Sequence, residues 1–144
     1  MIQRIQSIYL FFVVIISGGL IFIIDFSNKT SDTKTQILDL VFSIDLIQKG
    51  IGISFFIIAV LAFISIFLYK NRNKQVVVNN INIVINSILL GLIVYHLLNV
   101  SGEINISEKG IWFLIPFISI ILLVLANTGI KKDEKLVKSV DRLR

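Results

Sequence analysis

Cysteine is absent from the 144 residues, and histidine, proline, methionine and tryptophan occur once each. Without cysteine there is no disulfide framework and no thiolate metal site. The lone histidine, His96, rules out a multi-histidine metal centre as well, so neither a metal nor any other cofactor is expected. Charge is also scarce, at 16% of residues, and it is missing altogether from several long stretches. An enzyme needs a convergent polar constellation. Asp39 and Asp45 are six residues apart, with no histidine or cysteine beside them, and read as solvated loop carboxylates. No catalytic residues are assigned, and the chain is not expected to be an enzyme.

What is present is apolar: 56% of the residues are hydrophobic and the mean hydropathy is +0.90. In a soluble domain apolar residues alternate with polar ones at helix or strand period. Here they form four blocks, at about 5–24, 50–69, 76–98 and 111–130. Each is close to the ~20 residues a helix needs to cover a ~30 Å hydrocarbon core. Each span must satisfy its own backbone in lipid, which selects helix over strand. The predicted fold is therefore an all-α membrane protein: a single domain over 1–144, with four transmembrane helices and a short cytoplasmic C-terminal helix. The first block is too long for a cleaved signal, and Ser17-Gly18-Gly19 is followed by further apolar residues.

The net charge of +5 does not point to nucleic acid, because the basic residues flank the apolar blocks instead of lining one face. Arg4 precedes the first span. Lys70, Arg72 and Lys74 fall in the 70–75 loop, and Lys131, Lys132, Lys135, Lys138, Arg142 and Arg144 in the tail. On the other side Lys29, Lys34, Lys49 and Lys109 are diluted by aspartates and glutamates. By the positive-inside rule both termini are cytoplasmic. Tyr9, Tyr69, Tyr95 and Trp112 fall near span ends, where interfacial aromatics belong. The outer loop, 25–49, opens polar and turns apolar from Ile37 to Ile47, as either a short interfacial helix or a strand.

Both ends of the chain and the inner loop carry the markers of one family. They are Met1-Ile2-Gln3-Arg4-Ile5-Gln6; Lys70-Asn71-Arg72 with Gln75 and Asn82; and Leu125-Ala126-Asn127, Lys132-Asp133-Glu134, Leu136-Val137, Ser139 and Asp141-Arg142. The whole chain resembles a four-span membrane family of Bacteroidota catalogued as a domain of unknown function. The resemblance implies an inner-membrane location and no reaction. Two positions depart from the family pattern. Lys74 stands where an apolar residue is usual, and Thr128-Gly129 where a basic residue and an alanine are.

The markers lie toward one face and define a candidate interaction surface: Gln3, Arg4, Gln6, Asn71, Arg72, Gln75, Asn82, Asp133, Glu134, Ser139, Asp141 and Arg142. The 131–144 tail reads as a basic amphipathic helix continuing the fourth span, with Leu136, Val140 and Leu143 on one side. Ile2 and Ile5 of the N-terminal turn are candidates to cover that stripe. The tail either lies on lipid headgroups, where each lysine contributes ~1 kcal/mol, or docks on a partner or on the bundle's own inner face. Asn79, Asn82 and Asn86, spaced three and four apart, share a face of the third span that should point inward. There they are either a polar path or helix–helix hydrogen bonding worth ~0.6 kcal/mol per bond. His96, near the outer end, is a proton sensor or an interfacial hydrogen-bonding group. The expected function is an accessory or scaffold subunit of a membrane complex, contacting the bilayer and either a membrane-protein partner or further copies of itself. The alternative is a small channel or carrier using the asparagine face.

Overall fold

The computed structural model describes residues 3–19, 41–42, 46–100 and 106–141. Among them every element is helical and none is a strand. Helix α1 (Gln3–Val14) runs on through a π-helical turn, Ile15–Gly19. Helix α2 (Leu46–Phe67) ends in a 3₁₀ turn, Leu68–Lys70. Helices α3 (Arg72–Val100) and α4 (Ile106–Asp141) complete the chain. Leu46–Lys70, Arg72–Tyr95 and Phe113–Val137 are long and apolar enough to cross a membrane, and Ile5–Gly19 is a shorter apolar helix. Residues 20–24 of the first apolar block lie outside the described residues, as does most of the 25–49 loop.

Two boundaries differ from those read in the sequence. Helix α2 begins at Leu46, so 46–49 belong to the helix and not to the loop. The 70–75 loop shrinks to Asn71, whose N–H bonds the Leu68 carbonyl (2.9 Å) and whose carbonyl accepts from the Gln75 N–H (3.0 Å). The tail continues the fourth apolar block as one helix, as the sequence predicts, and through Asp141 it is the end of α4. The physical reason is the same in each case. A helix needs lipid to force it but not to sustain it, and the i→i−4 ladder continues into the headgroup zone once the nucleus is paid.

Packing runs around a ring, α1 on α2, α2 on α3, α3 on α4 and α4 back on α1. Successive helices are antiparallel, because Gln6 at the start of α1 meets Asp133 near the end of α4, and Ser65 near the end of α2 meets Asn79 near the start of α3. Leu10, Val13, Ile51, Phe55, Ile58, Ala62, Leu89, Ile93, Ile115, Leu123 and Ala126 form the buried core. The outer surface is equally apolar: Phe11, Phe56, Phe63, Val84, Ile88, Leu114 and Phe117 are all exposed. A water-soluble monomer rarely exposes so large an apolar surface, whereas lipid is its matching solvent. Close approach of α1 to α2 is set at Gly18, where an added Cβ would stand 3.4 Å from the Ala59 Cβ.

Candidate functional site

The buried polar side chains gather at one end of the ring, where α1 and α3 begin and α2 and α4 finish. Gln6, Ser65, Gln75, Asn79, Asn82, Asn86, Asn127 and Asp133 are all buried. Ser17 and Ser119, also buried, donate to the carbonyls of Val13 and Ile115 in their own helices and link nothing.

The network is built in two layers. The inner one starts at Asn86, whose Nδ2 donates to the Asn82 carbonyl (2.9 Å) and to Asn82 Oδ1 (3.1 Å). Asn82 Nδ2 crosses to the Ile58 carbonyl of α2, 3.2 Å away. One turn nearer the helix ends, Ser65 Oγ donates to Asn79 Oδ1 (2.6 Å), and Asn79 Nδ2 donates to Asn127 Oδ1 (2.9 Å). Asn127 Nδ2 in turn reaches Asn80 Oδ1 (2.8 Å), so a single α4 carboxamide grips two consecutive residues of α3. Gln75 Nε2 donates to the Ser65 carbonyl (3.1 Å), capping the end of α2. A carboxamide in a low-dielectric interior must find partners. Here, Asn86 apart, the partners are other helices of the same chain.

The outer layer ties α1 to α4. Gln6 Nε2 donates to Asp133 Oδ2 at 2.6 Å, with the two side chains 7% and 4% exposed. The second carboxylate oxygen, Oδ1, is buried with no partner among the described residues. Gly129 makes this contact available, because a Cβ there would stand 3.0 Å from Gln6 Cγ. Gly129→Val is expected to push Gln6 off Asp133 and cost about 1–2 kcal/mol by overpacking. Alanine should cost less, since Gln6 can bend. Thermal unfolding in detergent, followed by loss of the monodisperse species, measures the difference.

The residues expected on a contact surface therefore divide. Gln6, Gln75, Asn82 and Asp133 face inward and hold helices together, because an amide or carboxyl near the end of a span is cheaper bonded to a neighbour than facing lipid. Asn71 and Ser139 are exposed, and Arg72 and Glu134 are partly buried. The side chains of Gln3, Arg4 and Asp141, and the whole of Arg142, lie outside the described residues, as do Asp39, Asp45 and the His96 side chain. The proposed apolar cover of the tail is not formed by the described partners, since Ile5 and Leu136 stay 51% and 49% exposed. The N-terminal turn and the tail do meet in a polar contact, Gln6 with Asp133.

Around this interior runs a basic rim of exposed Lys70, Lys74, Lys131, Lys132 and Lys135. Among the described residues no three His, Cys, Asp or Glu side chains gather into a metal-binding group. The family model of DUF4293, a domain of unknown function, matches residues 2–143. The chain belongs to that family. No curated protein and no solved structure matches it.

In this DUF4293 chain, reading the sequence alone misses three members of the network. Ser65 sits in an apolar run, where serine ordinarily bonds its own backbone. Asn80 and Asn127 lie off the 79–82–86 face. Asn127 does stand among the family markers, and its position six residues before Asp133 in an apolar helix was the available signal.

Proposed function

We propose that the chain is a four-span inner-membrane protein with both termini in the cytoplasm, and that it serves as an accessory or scaffold subunit whose partner docks on the basic end. The first span is read as 5–24, an uncharged stretch whose described part packs beside α2 and α4, two helices of spanning length. The basic rim lies where α2 and α4 finish and where α3 begins, which the positive-inside rule puts in the cytoplasm. Together the four spans make a four-helix bundle.

The observation that carries the subunit reading is the separation of polar groups at this end. The buried carboxamides of Gln75, Asn79, Asn82, Asn86 and Asn127 all donate to acceptors within the chain. They fix the helix ends and leave the lysines, with Asn71, outside. A charged rim carried on fixed helix ends is suited to recognition, since a preorganised backbone loses less entropy on docking. A carrier would turn its amides toward a water-filled path. These amides are turned toward one another.

The test is purification in mild detergent, with the tag on the outer loop. Lys131, Lys132 and Lys135 are replaced by glutamine, while Lys70, Arg72 and Lys74 stay to hold the orientation. Wild type should bring down a stoichiometric membrane protein, and the triple variant should lose it at least about tenfold while remaining folded. A wild-type chain that comes down alone, or a partner that survives the triple substitution, would sink the proposal.

A further inference from the structure

The hydrogen bonds between helices fix how far each one lies along the common axis. Ser65, Asn79 and Asn127 are joined in a chain, so α2, α3 and α4 share that level. Asp133 lies about 9 Å past Asn127 at 1.5 Å per residue, and Gln6 of α1 stands level with it. Four exposed lysines then fall at one depth. Lys131 and Lys132 lie about 6 and 7.5 Å past Asn127, and Lys74 about 7.5 Å past Asn79. Lys70, at the end of the 3₁₀ turn, lies about 9 Å past Ser65. Tyr9, counted back from Gln6, and Tyr69 fall beside them, at about 4.5 and 7 Å.

A second band lies in the other direction. Lys49, Tyr95 and Trp112 stand about 24, 24 and 22.5 Å from the same level. The two bands are therefore about 30 Å apart, the thickness of a hydrocarbon layer. Between them the described residues carry no charge, and Phe56, Phe63, Val84, Ile88 and Phe117 are exposed. The lysines of the first band come from α2 with its 3₁₀ turn, from α3 and from α4. A surface shaped for a protein partner has no reason to lie flat across separate helices, one bilayer thickness from a second aromatic band. A layer of headgroups does, and its tyrosines belong at the same depth.

We infer that Lys70, Lys74, Lys131 and Lys132 form a belt that gathers anionic phospholipid around this end of the bundle, each ammonium taking a headgroup phosphodiester. The long apolar stem of each lysine lies along its helix and carries the charge up to the phosphates. No carboxylate competes from the described surface, since Asp133 is buried and Glu134 is partly so. A net positive belt of this kind selects lipids that carry net negative charge over zwitterionic ones. Lipid around the side leaves the end of the bundle open, with Lys135 about 12 Å past the Asn127 level. The belt thus rests on the four-span placement proposed above and not on a partner.

Tryptophan occurs once, at Trp112, so its fluorescence can be moved to the belt by combining Tyr69→Trp with Trp112→Phe. Both chains are reconstituted in vesicles of phosphatidylcholine and phosphatidylglycerol, with one lipid or the other brominated as a quencher. In the Tyr69→Trp chain, brominated phosphatidylglycerol should reach half-quenching at a mole fraction at least about fivefold lower, the equivalent of ~1 kcal/mol for one lysine. The parent chain, reporting from Trp112, should not distinguish the two. Adding Lys70→Gln and Lys74→Gln should bring the two lipids together at the belt, with the thermal midpoint unchanged because both side chains are exposed. Equal quenching at the Tyr69→Trp probe would overturn the proposal. So would a preference as large at Trp112, or one untouched by the two glutamines. Loss of the preference to inorganic phosphate, at an ionic strength where chloride leaves it, would also overturn it, since the belt would then hold a free anion. The vesicles contain no partner, so failure to capture one in detergent leaves these outcomes unchanged.

Discussion

Gln6→Leu is expected to lower the unfolding free energy by about 3 kcal/mol, and adding Asp133→Leu to the same chain to restore most of it. The Gln6 amide is the one partner that Asp133 has among the described residues. Removing it forfeits a hydrogen bond to a carboxyl group, about 1.5–3 kcal/mol, and leaves a second buried oxygen unsatisfied, about 1–3 kcal/mol more. Interactions in membrane proteins average below their aqueous values because the unfolded chain also finds partners, which brings the sum toward the lower end. When both partners become apolar, nothing buried is left unpaired, and such a replacement is nearly neutral. A double-mutant cycle in detergent, with unfolding followed by steric trapping or heat, should therefore give a coupling energy of about 2 kcal/mol. A value near zero would show that this pair does not hold α1 against α4.

Asn127→Leu should cost about 2–4 kcal/mol. It removes two interhelical bonds, each about 0.6–1.7 kcal/mol, and strands the Asn79 amide in a site that is 0% exposed, for about 1–3 kcal/mol. The order within the asparagines tests the geometry as well as the size. Asn82→Leu breaks one cross-helix bond, to the Ile58 carbonyl, and should cost about 1 kcal/mol. Asn86 donates only within its own helix, so Asn86→Leu should cost less still. An order with Asn86 the most sensitive would mean that the inner asparagines face something other than each other.

The helices were legible because apolar blocks near twenty residues have one solution in lipid. Their ends were not. Leu46-Ile47-Gln48-Lys49 and Arg72-Asn73-Lys74-Gln75 read as loops because polarity marks the edge of the hydrocarbon, while the hydrogen-bond ladder obeys no such edge. The inward turn of Asn79, Asn82 and Asn86 was legible from spacing alone. Their partners were not, since Ser65 and Asn127 carry no periodicity of their own. Gln6 and Asp133 both stood out as family markers. Nothing in a linear pattern says that residues 127 positions apart in the chain will share a bond. That follows only from α1 closing the ring against α4, and it turns residues that looked like a contact surface into the material behind one.

The length of α4 has a mechanical consequence. At 1.5 Å per residue, its 36 residues make a rod of about 54 Å, against a hydrocarbon layer of ~30 Å. In the proposed four-span arrangement the tail is the handle of a lever whose other arm lies in the bilayer, with the Gln6–Asp133 bond near the fulcrum. Force applied at Ser139 has no hinge in which to dissipate before it reaches the membrane, so whatever grips the handle also sets the tilt of the span.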